Sequence, residues 1–131
     1  MENFTVRLKV KIPGNEYKIL RILSEKLNSN PKKIIEDNLS FIIKNKNFLK
    51  PTEETREDDS IIHPDIPLNE HDSLEIIAKE KNTNIESLVA SAVSLIILEN
   101  KDLLLEIAEK NPDKCDSIKN ELSNLEKTII Q

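Results

Sequence analysis

The side chains able to carry covalent or metal chemistry are few in this chain of 131 residues. There are two histidines, His63 and His71, and one cysteine, Cys115. A structural zinc site of Cys and His needs four ligands, and three scattered candidates do not supply one from a single copy. A serine nucleophile would need a histidine base, and nothing in the spacing sets either histidine beside a serine. A phosphate-cradling loop needs several glycines, because backbone amides must approach the anion with no Cβ in the way. Gly14 is the only glycine, so neither a P-loop nor a dinucleotide fingerprint can be built. Carboxylates are abundant, but they read as solvated helix faces. No enzyme, cofactor or metal is expected. Cys115 can form no intrachain disulfide and reads as a free thiol on a polar turn.

The elements themselves carry a clearer signal. Positions 12–45 align without gaps on 66–99 at an offset of 54, and eleven of these 34 positions are identical. They include Ile12/Ile66, Pro13/Pro67, Asn15/Asn69, Asn28/Asn82 and Asn30/Asn84. A repeat of this kind decides the architecture and is read before anything else.

Each copy has the same order of signals. In "TVRLKVKIP", Val6, Leu8, Val10 and Ile12 alternate with Thr5, Arg7, Lys9 and Lys11. Period two predicts a half-buried strand. In "DSIIHPDIP" the inward set is Ile62, Pro64 and Ile66, and the outward set is Asp59, Ile61, His63 and Asp65. Pro64 cannot donate a ladder bond, which confines its strand to an edge or a two-stranded ribbon. A helix of about 14 residues follows, with apolar faces Leu20, Leu23, Leu27 in copy one and Leu74, Ile77, Ala78 in copy two. Asn69 with Asp72 resembles a cap with an acidic first turn.

A short turn, "NSN" or "NTN", leads to a second helix capped by Asn30 or Asn84, with Pro31 favoured at the first helical position. Its apolar faces are Ile34, Ile35, Leu39, Ile42 and Leu88, Val89, Ala92, Val93, Ile96. The second of these helices is apolar around much of its circumference and is expected to be buried. Residues 48–58 read as a polar linker. "KDLLLEIAEKN" extends the last helix or forms another, and Pro112 interrupts it. A final amphipathic helix carries Ile118, Leu122, Leu125 and Ile129 on one stripe, packed on the chain's own core or offered to a partner.

Formal charge splits between the halves. Residues 1–52 hold 11 Lys/Arg against 5 Asp/Glu, net +6, and residues 53–131 hold 8 against 19, net −11. Such asymmetry hints at nucleic-acid contact by one half or regulation by the other. The N-terminal residues lack the apolar core of a signal peptide, and the run "LVASAVSLIIL" is too short to span a bilayer. A cytoplasmic location is the default expectation.

Strand, helix, short polar turn and helix, in about 45 residues per copy, resembles the ribbon-helix-helix family of DNA-binding regulators. The residues that carry the likeness are "TVRLKVKIP" before the first helix and "NTNIESLVASAV" opening the second. It covers roughly residues 4–46 and 58–100. The resemblance implies a mainly α fold with a short two-stranded antiparallel β-ribbon. It makes residues 1–47 one module, 48–58 a linker, 59–100 a second module and 101–131 a C-terminal helical extension. Family members are dimers whose strands pair, so two tandem modules imply a single-chain pseudo-dimer. The partner so implied is double-stranded DNA. Outward ribbon residues would enter the major groove, here Thr5, Arg7, Lys9 and Lys11. Asn30, Lys32 and Lys33 would face phosphate from the start of the second helix. His63 joins the set, either as a pH-sensitive contact or as a plain polar surface residue.

Copy two departs from this pattern through Asp59, Asp65 and Glu86, since acidic groups repel the phosphate backbone. Asn38 also stands where copy two supplies the small Ala92. The expected reader is therefore asymmetric and acts mainly through copy one. Opposite charge also predicts who pairs with whom. Antiparallel pairing of the two strands about Lys9 and His63 sets Arg7 opposite Asp65, whereas two copies of strand one would set like charges together. Two other readings remain: a duplicated fold that has lost DNA binding and serves protein interaction or assembly, and a DNA binder whose acidic half is a partner-binding or autoinhibitory surface. The C-terminal helices are the candidate surface for a homodimer or protein partner.

Overall fold

A computed structural model describes residues 4–51 and 58–130, the last three by their backbone alone. The chain is mainly helical. In order it forms β1 (Thr5–Arg7), β2 (Val10–Ile12), α1 (Gly14–Lys26), α2 (Pro31–Asp37), α3 (Leu39–Lys44), a 3-10 turn (Lys46–Phe48), β3 (Ser60–Ile62), β4 (Asp65–Pro67), α4 (Leu68–Glu80), α5 (Ile85–Glu99), α6 (Lys101–Lys110) and α7 (Pro112–Ile130).

The strand segments pair between the two copies, antiparallel. Thr5, Val6 and Arg7 face Pro67, Ile66 and Asp65, and Val10, Lys11 and Ile12 face Ile62, Ile61 and Ser60. Both stretches share one register, which sets Lys9 across from His63. The ladder breaks between them because Pro64 has no N–H to give. Its carbonyl still accepts from the Leu8 amide at 3.0 Å. Lys9 and His63 are repeat equivalents, so the ribbon has an internal two-fold at its centre. Alternation holds over most of both strands: Leu8, Val10, Ile12, Ile62, Pro64 and Ile66 are buried, while Thr5, Arg7, Lys9, Lys11, Ile61 and His63 are exposed. Val6 of the expected inward set and Asp59 and Asp65 of the outward set are half-buried.

The buried ribbon face meets helices from both copies. Ile85, Leu88, Val89, Ala92, Val93, Ile96 and Ile97 of α5 are all buried, and α5 touches β2, α1, α3, α4 and α7. Burial of one such aliphatic side chain stabilises by roughly 1.5–3 kcal/mol, so this helix anchors the core. The C-terminal stripe is spent on the same core: Ile118, Leu122 and Leu125 are buried, and α7 packs on α6, α5 and α1. Asn15 donates to the buried Glu121 carboxylate at 2.7 Å, tying α1 to α7. The side chain of Ile129 lies outside the described residues.

The repeat's identical asparagines set its turns. Asn28 and Asn82 both take a left-handed backbone, φ 55°. Ser29 N–H donates to the Ser24 carbonyl and Thr83 N–H to that of Ala78, which are Schellman closures of α1 and α4. Asn30 and Asn84 then cap the next helices, accepting from the amides of Lys33 and Ser87 at 2.9 and 2.8 Å.

Several expectations need correction. Leu27 is exposed because it sits at the last turn of α1, just before left-handed Asn28 swings the chain away; Ile19 and Ile22 fill that face with Leu20 and Leu23. Asn69 lies inside α4, which starts from Pro67 with no side-chain cap. The second helix of copy one is broken at Asn38, whose amide donates to the Ile34 carbonyl at 2.6 Å. Asn45, Asn100 and Asn111 make the same bond to the carbonyl four residues back. Asn100 thus ends α5, and α6 is a separate helix. Leu49, within the stretch read as a polar linker, is buried in the core, and its carbonyl accepts from Lys81 Nζ at 3.2 Å. Residues 52–57 of that linker lie outside the described residues.

Gly14 opens α1 because the chain returning towards β3 passes over it. A Cβ there would sit 2.7 Å from the Asp58 carbonyl oxygen and 2.9 Å from its carboxylate. The equivalent position, Leu68, is exposed. Gly14→Ala is therefore expected to lower unfolding stability by about 1–3 kcal/mol, as overpacking does. Leu68→Ala should stay within roughly 0.5 kcal/mol of wild type, and urea unfolding of both variants checks the contrast.

Candidate nucleic-acid interface

The outward ribbon face gathers five of the residues singled out by sequence: Thr5, Arg7, Lys9, Lys11 and His63, all exposed. Period two puts them on one side, and the packed inward set holds that side towards solvent. Ile61, on the same face, is 49% exposed. Among the described residues, Lys9 and Lys11 have no ion-pair partner.

Arg7 is not free. Its Nε donates to Asp65 Oδ1 at 2.9 Å and its Nη2 to Oδ2 at 3.2 Å. Lys32 Nζ, from the first turn of α2, reaches the same Oδ2 at 3.0 Å and lies 3.4 Å from Glu36. Glu36 also accepts from the Asp65 amide at 2.7 Å. This gives the outer N–H of a two-stranded ribbon the partner it lacks within the ladder. The two guanidinium hydrogen bonds, then the Lys32 bond, hold the Asp65 carboxyl far below the usual carboxylate range. The same hydrogen bonds to Asp65 raise Arg7 and Lys32. Water screens the network, since the Arg7 side chain is 67% exposed.

The other residues singled out sit at α2. Asn30 is spent on its cap, and Lys33 pairs with Asp37 at 3.0 Å. The structure thus joins Lys32 to the ribbon and leaves Lys33 on a local helical pair. Glu36 was missed as part of the site, although its spacing of four from Lys32 was a legible signal. At the corresponding start of α5, Glu86 is exposed.

Elsewhere, His71, Asp72 and Glu75 on α4 bring ligand atoms within 4.8 Å of one another. Charge reversal in copy two creates this group, and a helix-surface pair of His71 with Glu75 at 4.0 Å accounts for it. Cys115 is half-buried at the start of α7 rather than on a turn. No helix among the described residues is long and apolar enough to cross a membrane. No family model, curated protein or solved structure matches the chain.

A carboxyl held down in the folded state stabilises fully above its unfolded pKa, about 3.9. That contribution is lost as pH falls through the lower folded value. Carboxyl-resolved NMR titration should find Asp65 still ionised at pH values where an unperturbed aspartate is protonated. A midpoint near 4 for Asp65 would mean that the network does not persist in solution.

Proposed function

We propose that this chain is a tandem ribbon-helix-helix protein, a single-chain pseudo-dimer that binds double-stranded DNA as a transcriptional regulator. The observation that carries this reading is the heterotypic ribbon itself. Its inward side chains are buried, and its outward face presents Arg7, Lys9 and Lys11 to solvent. A two-stranded ribbon fits the major groove, and lysines on it supply the charge that displaces counterions from phosphate. Lys9 and Lys11 are the principal contacts. Arg7 and Lys32 contribute once a phosphate replaces Asp65, an exchange that exposed ion pairs permit at small cost.

The engagement of Arg7 and Lys32 by Asp65 also favours a second reading, a module that has turned from DNA to protein interaction or assembly. That reading draws on the exposed Glu86 and the net −11 of residues 53–131. It gains nothing from Ile118, Leu122 and Leu125 of α7, which are buried among the chain's own helices.

Binding to a diverse pool of genomic duplexes at two salt concentrations separates the two. Under the DNA reading, Lys9→Ala and Lys11→Ala each weaken binding and lower the log–log salt slope by about one. Asp65→Asn frees two cations, so it tightens binding and steepens the slope. Absence of binding to any duplex at low salt, with recovery of a stable protein partner, would establish the second reading.

A further inference from the structure

We infer, resting on the DNA-binding reading above, that the duplex recognised is non-palindromic, with base reading concentrated at the Lys11–Ile61 end of the ribbon. A two-fold ribbon of identical strands offers the same side chains at both ends and so matches an inverted repeat. Here the repeat maps Arg7 onto Ile61 and Lys11 onto Asp65. The register then makes the two ends chemically different: Arg7 faces Asp65, and Lys11 faces Ile61.

At the first end, two guanidinium nitrogens and both carboxylate oxygens already bond each other, and Lys32 takes a further position on Oδ2. The Nε–Nη2 fork of Arg7 is thus occupied, and the Asp65 carboxylate beside it neutralises its charge and repels the acceptor edge of a guanine; the remaining N–H groups and Lys32 are left for the phosphate backbone. At the second end Lys11 is exposed, and Ile61 stands beside it with half its surface in water. A lysine ammonium donates to the O6 and N7 acceptors of guanine, and an aliphatic side chain packs on the methyl of thymine. The centre is also unlike on its two sides, with Lys9 across from His63. No symmetric pair of half-sites can satisfy both ends, so the information lies on one side of the dyad.

Selection of bound duplexes from a randomised pool by the full chain tests this. The expected result is a consensus without two-fold symmetry, in which a guanine and a thymine step mark one flank. Ile61→Ser should reduce the thymine preference about tenfold, the range of a lost base contact, while Ile61→Val retains it. Position 61 is exposed, so neither change threatens the fold. A palindromic consensus, or retention of duplexes with no consensus, overturns the asymmetric reader and leaves DNA binding standing. Retention of no duplex at low salt overturns the DNA reading and this inference with it.

Discussion

Neither copy of the repeat can bury its own apolar surface. A three-residue strand segment followed by two short helices leaves Val10, Ile12, Ile62 and Ile66 with nothing to pack against until the other copy arrives. Pairing of the strands across the copies answers this, and α5 supplies the common floor. All else depends on that pairing: the outward face exists because the inward face is satisfied, and α6 and α7 close the remaining apolar side. Joining both copies in one chain gives the partner strand a high effective concentration, which a marginal two-stranded ribbon needs.

Charge decides which strands meet. Arg7 opposite Asp65 is favourable by the usual cross-strand preference, and a homotypic pair would set Arg7 against Lys11. The hydrogen-bonding geometry extends this beyond a pairwise effect. Asp65 is approached by Arg7 from the ribbon and by Lys32 from α2, while Glu36 closes on the Asp65 amide. One acidic residue of copy two thereby fixes strand register and docks a helix of copy one. Its repeat equivalent, Lys11, has no such partner among the described residues, so the internal two-fold holds in register, is interrupted in hydrogen bonding at Pro64 and is broken in charge.

Much of this was legible in the residues. Period two gave both strands and their faces, and repeat alignment with charge complementarity gave the register about Lys9 and His63. The second helix of copy two read as buried from its composition alone. What was not legible depended on one-residue backbone events. The left-handed turn at Asn28 removes Leu27 from the core, and Asn38 breaks a helix whose apolar spacing is otherwise continuous. Leu49 looked like linker because an isolated apolar pair, Phe48 and Leu49, leaves no periodic trace, and only Leu49 of the two is buried. In the candidate site, the exposed cations were evident, whereas the commitment of Arg7 and Lys32 to one carboxylate required the fold that brings residues 7, 32 and 65 together. The sequence did place Arg7 opposite Asp65, but local spacing could not show that α2 would join them.

Duplication in one chain removes a constraint that a homodimer cannot escape. In a homodimer each outward residue must serve both ends of the ribbon, so a residue that strengthens pairing is also the residue shown to a ligand. In this chain each position serves one end. Arg7 can be given to pairing because Ile61, not a second Arg7, stands beside Lys11 on the outward face at the far end. Asp65 can neutralise one end without neutralising both. The same cations that would draw in any polyanion are therefore divided along the ribbon, held in an intramolecular network at one end and left in solvent at the other. That division follows from the heterotypic register and from single-residue differences between copies, at 7 and 61 and at 11 and 65, on strands that keep one register throughout.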